Sequence, residues 1–290
     1  MRNFLILPIL FIFLVSCSNS EDFDIPKISK LEKLEEHSNQ FIKGIYSYDN
    51  GIHVAIGFGI ANSIMVEGEG GNIIIDTTDD VSQAKEVLSE FQKINQNPIK
   101  AIIYTHNHGD HVFGASEFYN AQEEKPLVIS HSTTAEKVEK ILGIINPIIT
   151  VRSGKMFGTN LDEDELINVG LGPYLSAGRS SPGYIAPTMT FEKELKLEIA
   201  GHKVELYHAP GETDDQLFVW FPELSALMPG DNFYTTFPNL YTIRGTSHRD
   251  VIGWVNSIDK MRSLDPQYLF PSHTMPVVGE EISNALIIYR

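Results

Sequence analysis

The sequence predicts an α/β fold in which two sheets lie inside and helices cover them outside. Short apolar runs bounded by glycine recur along the chain, as is typical of strands. One of these runs, 72–76, is a continuous apolar run that ends in a carboxylate, as is typical of a buried central strand, and 99–104 is predicted to be another buried strand. Between them, apolar residues recur at helical spacing over 80–94 and predict an amphipathic helix. Strands in runs with interspersed helices favour a layered α/β sandwich.

The same patterns predict the other elements of the chain. Residues 146–188 are rich in glycine and proline and predict a long loop, which in a compact domain is usually functional. Further strands are expected at 41–48, 53–58, 62–66, 195–199, 203–208, 216–221, 225–228 and 267–271, and further helices at 132–145, at 251–261 and from about 279 onward.

Composition excludes several classes of protein. The chain has 290 residues, 42% of them hydrophobic, so it can bury a sizeable core and is not predicted to be disordered. The formal net charge of −16 argues against a nucleic-acid partner, because phosphate contacts need Lys and Arg. The single cysteine, Cys17, excludes an intramolecular disulfide and any metal site built from several cysteines.

The N-terminus is typical of a secretory signal peptide. A basic start precedes an apolar run, 4–15, which is shorter than the ~20 residues that span a bilayer. Residues 14–17 resemble the bacterial lipobox, whose cysteine is lipidated; an ordinary signal peptide with an incidental Cys17 is the alternative. The lipobox resemblance implies anchoring through lipid in the bacterial cell envelope, on the periplasmic or cell-surface side of a membrane. The expected organisation is a lipoprotein signal peptide at 1–16, a polar tether at 17–38 that becomes helical near 31–36, and one catalytic domain at 39–290.

The strongest chemical signal is the segment 105–111, Thr-His-Asn-His-Gly-Asp-His, which follows directly on a predicted strand. Because alternate residues of an extended chain point to the same side, His106 and His108 can hold one metal ion. If the chain turns at the intervening glycine, Asp110 and His111 can face a second ion. Imidazole and carboxylate are ligands for Zn²⁺, and also for iron and manganese.

The pattern H-x-H-x-D-H after a strand resembles the metallo-β-lactamase superfamily, and its other motifs follow in the same order. Asp76, at the end of a buried run, resembles the aspartate that orients the metal-site loop. Segments 210–214, 230–232 and 272–274 resemble the remaining motifs. The resemblance covers roughly residues 40–290 and implies the αβ/βα four-layer sandwich of that superfamily, with two divalent metal ions and Zn²⁺ as the expected metal.

Carried over by position, the resemblance implies seven metal ligands. His106, His108 and Glu212 are assigned to one ion, Asp110, His111 and His273 to the other, and Asp231 bridges the two. His208 is the alternative third ligand if the loop around Glu212 folds differently. Two such ions can lower the pKa of a shared water towards neutrality and so provide a nucleophile at pH 7.

Glu212 narrows the expected function, because most members of the superfamily have histidine at that position. Antibiotic-hydrolysing lactamases and glyoxalase-type hydrolases normally keep the histidine, whereas alkyl sulfatases of the superfamily have glutamate. Segments 59–68, 170–188 and 239–254 also resemble alkyl sulfatases, with Gly178 among the matching glycines. Asp231 departs from that branch, which has a bridging glutamate.

Segment 239–254 implies an oxyanion pocket. Arg244 is the expected sulfate clamp, because a guanidinium pairs two oxygens at once. Asn239, Tyr241 and His248 are expected to help bind the substrate, and Asp231 and Arg244 are the expected catalytic residues. A salt bridge to an acidic residue is the alternative role for Arg244.

The sequence therefore predicts a binuclear metallohydrolase of a small-molecule ester, with an alkyl sulfate favoured. The chain ends soon after the last motif, so the dimerisation and sterol-carrier-like domains of long alkyl sulfatases are expected to be absent, which leaves the oligomeric state open. Two alternatives stay open: another hydrolase of this fold acting on a β-lactam, lactone, thioester or phosphoester, and a non-enzymatic surface-binding lipoprotein. The full ligand set argues against the latter.

Overall fold

Two β-sheets form the centre of the computed structural model, which describes residues 30–162, 165–175 and 182–290. The strands of the first sheet, in spatial order, are β1 (Gly44–Ser47), β2 (Ile52–Ile56), β3 (Ser63–Gly68), β4 (Gly71–Ile75), β5 (Ile99–Ile103), β6 (Leu127–His131) and β7 (Met189–Phe191). Those of the second sheet, also in spatial order, are β8 (Glu194–Ile199), β9 (His202–His208), β10 (Leu217–Phe221), β11 (Ala226–Met228), β12 (Tyr268–Leu269) and β13 (Val277–Val278). Strands β1 to β4 pair antiparallel, and β4 to β7 pair parallel.

Helices cover the outer faces of both sheets. They are α1 (Lys30–His37), α2 (Val81–Ile94), α3 (Gly109–Val112), α4 (Ala115–Asn120), α5 (Thr134–Leu142), α6 (Asn146–Met156), α7 (Val251–Ser263) and α8 (Glu281–Tyr289). Apolar side chains of α2 and α4 pack on the first sheet, and those of α7 and α8 pack on the second. This order of layers confirms the predicted αβ/βα sandwich.

Alternation along the strands places one core between the sheets and one beneath each helical layer. Along β4, Ile73 and Ile75 pack between the sheets, whereas Ile74 packs against the helices. Along β10, Val219 belongs to the central core and Trp220 packs with residues of α7 and α8. Because such strands are buried on both faces, they appear in the sequence as continuous apolar runs.

The predicted long loop at 146–188 was wrong in its first part, because α6 occupies that stretch. Pro147 stands in the first turn of α6, where its missing N–H is not needed. The helix is apolar on two sides: Ile149 lines a cavity, while Ile148 is 56% exposed. Two apolar faces remove the periodicity from which a helix is recognised. Strands β6, β7 and β13 and the short helices α3 and α4 were not predicted either.

The N-terminal predictions fall mostly outside the described residues. Helix α1 agrees with the helical segment expected near 31–36. The predicted signal peptide, Cys17 and Gly178 lie outside the described residues, so lipid anchoring stays a prediction. Among the residues that the structure does describe, no helix is long and apolar enough to cross a membrane.

Helix α2 provides a test of the packing beneath the helical layer. Phe91 is 1% exposed and packs with Ile74 and Ile102 of the first sheet. We expect Phe91→Ala to lower the free energy of unfolding by about 3–5 kcal/mol, because it leaves a cavity in a close-packed layer. Urea unfolding followed by circular dichroism measures the change. Phe237→Ala, at a ring that is 82% exposed, is the matched control and should stay within about 0.5 kcal/mol of wild type. Equal losses in the two variants would contradict this packing.

Candidate metal centre

The predicted ligand segments converge at one edge of the sandwich, because each follows the carboxyl end of a strand. Asp76 follows β4, His106 follows β5, Glu212 follows β9, Asp231 follows β11 and His273 follows β12. Strands β4 and β5 are parallel, as are β11 and β12, so within each sheet these ends lie on the same side.

Asp76 is a fully buried carboxylate that organises this edge. It accepts hydrogen bonds from the Thr105 N–H at 2.8 Å and hydroxyl at 2.9 Å, and from the Ser272 hydroxyl at 2.7 Å. It also accepts from Nδ1 of His111 at 2.7 Å. Since a carboxylate can only accept, Nδ1 of His111 carries a proton, and this hydrogen bond turns Nε2 towards the site. The backbone φ of Asp76, +57°, lies in the left-handed region, which Asp adopts more readily than most residues.

His106, His108 and Asp231 form the first group of candidate ligands, hereafter the first group. Nε2 of His106 lies 2.9 Å from Nδ1 of His108 and 3.7 Å from Oδ2 of Asp231. Thr105 donates its hydroxyl proton to Asp76 and therefore accepts from Nδ1 of His106 at 3.1 Å, which turns Nε2 towards the group. Burial, reinforced by the charge of a neighbouring histidine, lowers the pKa of His106 to about 4 and also lowers the pKa of His108. Both imidazoles are therefore neutral at pH 7.

Asp110, His111 and His273 form the second group. Oδ2 of Asp110 lies 3.3 Å from Nε2 of His111 and 3.5 Å from Nε2 of His273. Nδ1 of His273 donates to the Ile60 carbonyl at 2.8 Å, so Nε2 faces the group. The two oxygens of Asp231 reach both histidines, at 3.5 Å from His111 and 3.2 Å from His273. Asp231 thus contacts both groups, the position that a bridging ligand requires.

Opposite charges govern the second group. Burial alone would lower the pKa of His273, but Asp231 and Asp110 outweigh it and raise that pKa to about 9. The same carboxylates raise the pKa of His111. In turn, these imidazoles overcome burial and hold the pKa values of Asp110 and Asp231 below their usual range. In the metal-free protein the second group is therefore held together by buried ion pairs.

Two buried atoms of the site test whether its residues fit a metal ion. Nε2 of His111 and Oδ1 of Asp231 have no hydrogen-bond partner among the described residues, although both are buried. They lie 3.5 Å apart as an ion pair that forms no hydrogen bond. A cation between the two atoms would satisfy both, and imidazole with carboxylate is a donor set that suits divalent metals. The residues present therefore fit two divalent ions.

Glu212 lies beside the first group. Its Oε1 is 3.8 Å from Nδ1 of His108, and its Oε2 accepts a hydrogen bond from Nη1 of Arg249 at 2.6 Å. Burial raises the pKa of Glu212 to about 8, against the opposing charge of Arg249. The Glu212 N–H donates to the Asn232 side chain at 3.2 Å. The sequence assigned roles to neither Arg249 nor Asn232, although both lie within or next to recognised motifs.

A cavity of about 480 Å³ opens over the two groups. Arg244 lines it, with Nη2 at 3.3 Å from Nε2 of His108, so this arginine stands beside the first group. Asn239 and His248 line it as well. The side chain of Tyr241 is 82% exposed and is not among the lining residues, so the structure does not bring Tyr241 to the site.

A second part of the cavity lining, hereafter the apolar wall, is formed mainly by apolar side chains. It comes from α5, from α6 and from the segments that follow α6. Its apolar side chains include Ile141, Leu142, Ile145, Ile149, Phe157, Leu171 and Leu175. The same helices also contribute polar side chains to the lining, namely Lys137, Lys140, Asn146, Thr150 and Ser153.

His208, the alternative third ligand, is placed elsewhere. Its Nε2 bonds to the Asp214 carbonyl at 2.7 Å, and its ring stacks on His131 with ring centres 4.2 Å apart. It belongs to neither group and does not line the cavity. The structure therefore gives Glu212, and not His208, the place beside the first histidine pair.

Curated relatives with similar sequences include sulfatases. The linear primary-alkylsulfatase of Pseudomonas sp. (strain ATCC 19151) is 40% identical over 223 residues, which cover 75% of this chain and 42% of that protein. The alkyl/aryl-sulfatase BDS1 of Saccharomyces cerevisiae is 26% identical over 260 residues, which cover 85% of this chain and 40% of that protein. The chain thus spans about two fifths of the length of these relatives.

A solved structure shares the fold over most of the chain. The stereoselective inverting sec-alkylsulfatase Pisa1 from Pseudomonas sp. aligns with a TM-score of 0.78 at 22% identity, covering 85% of this chain and 41% of that one. Residues 56–273, well over half of the chain, match the family model described as the metallo-beta-lactamase superfamily. Together with the layered fold and the paired ligand groups, this match shows that the chain belongs to the metallo-beta-lactamase superfamily.

Proposed function

We propose that this protein is a zinc-dependent hydrolase of alkyl sulfate esters. The observation that carries the proposal is the placement of Arg244 beside the first group, in a cavity that is also lined by many apolar side chains. A cation next to the candidate metal centre suits the anionic sulfate, and the apolar wall suits an alkyl chain. The names of the curated relatives support the same substrate class.

The chemistry divides between the bound ions and the residues of the chain. Two divalent ions held by the two groups would supply Lewis acidity and lower the pKa of a water molecule towards neutrality. Asp231 spans the groups, and Asp76 fixes the ring of His111 so that Nε2 points inward. Arg244 can donate two hydrogen bonds to the sulfate and so hold it beside the first group. Zinc is the metal we propose, because imidazole and carboxylate are among its usual ligands.

The apolar wall favours an alkyl substrate over a polar one. The cavity volume falls within the range of about 300–1,000 Å³ that is usual for small-molecule sites. Side chains such as Ile145 and Ile149 of α6 lie in this wall, where an alkyl chain would cover them. Burying each methylene contributes about 0.8 kcal/mol, so a longer chain should bind more tightly.

A phosphoester hydrolase is the second candidate, because a guanidinium binds phosphate as well as sulfate. The β-lactam ring, lactones and thioesters present a neutral group at the bond that is cut, and such a group would make less use of Arg244. A purely binding function would not need two groups of buried ligands that converge on one cavity.

The role of Arg244 can be tested with a substrate panel. We expect the zinc-loaded protein to hydrolyse a medium-chain alkyl sulfate faster than the matching phosphate ester, nitrocefin or a thioester. Arg244→Ala should lower kcat/KM for the sulfate by roughly 10²-fold, since one charge-assisted donor is removed, and should leave the zinc content unchanged. Arg262→Ala, at a residue that does not line the cavity, is the control and should retain activity. A faster phosphate ester would favour the second candidate, and loss of zinc in Arg244→Ala would mean that this arginine is structural.

The apolar wall can be tested with two adjacent isoleucines of α6. Ile149 lines the cavity, whereas Ile148 is 56% exposed and does not line it. We expect Ile149→Asn to raise KM for a twelve-carbon alkyl sulfate by about 5- to 30-fold, because a polar group then faces the chain. A short-chain sulfate, which cannot reach this residue, should be little affected. Ile148→Asn should leave both KM values unchanged, and equal effects in the two variants would argue against this wall as the alkyl site.

Zinc binding should strengthen as pH rises. The raised pKa of His273, at about 9, means that its imidazole carries a proton at pH 7 in the metal-free protein. An incoming ion must displace that proton and also the proton of His111, whose pKa is raised, so zinc affinity should rise by about tenfold per pH unit for each proton displaced. Competition with a chromogenic chelator between about pH 6 and pH 8 measures this slope. His273→Ala should flatten it and lower the stoichiometry from about two ions to one. A folded protein that binds no zinc at any of these pH values would rule out the metallohydrolase.

A further inference from the structure

Arg249 is a buried cation that the proposed reaction does not use. Its side chain is 3% exposed, and it stands immediately before α7. The next residue, Asp250, caps that helix by accepting from the Ile252 N–H at 3.0 Å. The start of α7 therefore fixes where the guanidinium of Arg249 emerges.

The contacts of Arg249 are selective. Nη1 donates to Oε2 of Glu212 at 2.6 Å and also to the carbonyl of Asn239. Nε and Nη2 are buried without a hydrogen-bond partner among the described residues. A guanidinium that served only as a packing strut would be expected to use more of its five donors. Here its hydrogen bonds are concentrated at the edge that faces Glu212.

The other contacts of Glu212 complete the arrangement. The backbone N–H of Glu212 donates to the side chain of Asn232, and Oε2 of Glu212 accepts from Arg249. The remaining oxygen, Oε1, lies 3.8 Å from Nδ1 of His108. Both ends of the residue are therefore anchored, and one carboxylate oxygen is left on the side of the first histidine pair.

We propose that Arg249 is a positioning residue that holds Glu212 as a one-oxygen ligand for the ion of the first group. This inference rests on the proposed function only in taking that group to bind a divalent ion. Without the guanidinium, the carboxylate could rotate and present either oxygen, or both, and its buried negative charge would lose its cation. Residues that hold metal ligands in place typically contribute about 10- to 100-fold to metal affinity.

Arg249 also offsets part of the negative charge that the carboxylates bring to the metal centre. Asp110, Glu212 and Asp231 bring three negative charges to the centre, against four positive charges on two divalent ions. Pairing one carboxylate with Arg249 leaves the centre more positive where an anionic sulfate has to bind. The contact with Asn239 allows another role, in which Arg249 only supports the loop that carries Arg244. The two roles differ in what they do to metal affinity.

A double-mutant cycle on zinc affinity tests the proposal. We expect Arg249→Met to weaken one of the two zinc sites by about 10- to 100-fold in chelator competition, with no substrate present. Arg249→Lys keeps the charge but not the geometry, and should weaken the same site by about three- to tenfold. In the Glu212→Gln background, Arg249→Met should add less than about a threefold effect, because its partner has already been changed. Arg262→Met, an arginine paired with Asp259 away from the centre, is the matched control.

Each other outcome counts against the proposal. Unchanged zinc affinity in Arg249→Met, or equal losses with and without Glu212→Gln, would assign Arg249 to loop support alone. If Arg249→Met does not fold, Arg249→Lys gives the answer, and wild-type zinc affinity in that variant overturns the proposal. The readout needs no sulfatase activity, so failure of the substrate panel would leave this result standing, and the reverse also holds.

Discussion

The candidate site depends on a single buried carboxylate, that of Asp76. A fully buried negative charge is costly unless donors surround it, and here the donors come from both halves of the sandwich. Thr105 follows β5 of the first sheet, and Ser272 follows β12 of the second. His111, between them, is turned inward by the same carboxylate. Satisfying Asp76 therefore fixes how the two sheets meet at this edge, and the positions of the ligands follow from that junction.

The two ligand groups differ in charge before any ion binds. Burial keeps the imidazoles of the first group neutral, so they offer lone pairs directly. In the second group Asp110 and Asp231 raise the pKa values of His111 and His273, so protons occupy the place that an ion would take. The carboxylate oxygens lie closer to the imidazoles of the second group, at 2.7 Å from His111 and 3.2 Å from His273, than to His106, where the distance is 3.7 Å. Under acid conditions the second group should therefore be the first to lose its ion.

Local patterns in the sequence predicted the parts of the molecule that local geometry determines. Alternation along an extended chain brought His106 and His108 to one point, and apolar runs identified the buried strands. Contacts between distant segments were not predictable in this way: Arg249 meets Glu212 across 37 residues, and no spacing rule links the two. Helix α6 was missed because it is apolar on two faces. Tyr241 was assigned to the site from resemblance alone, and its side chain lies exposed on the surface.

Different elements of the fold supply the metal ligands and the apolar wall, and this separation affects how the substrate range can vary. The ligands follow strands of the two sheets, where Asp76 and the packing of both cores restrict change. The apolar wall comes from α5, α6 and the segments after them, which contribute no candidate ligand. A substitution at Ile145 or Ile149 can therefore alter the space for an alkyl chain without moving an imidazole. Arg244 stands between these regions, in contact with His108 and open to the cavity. Arg244 is therefore placed to bind the anionic group of the substrate directly beside the candidate metal centre.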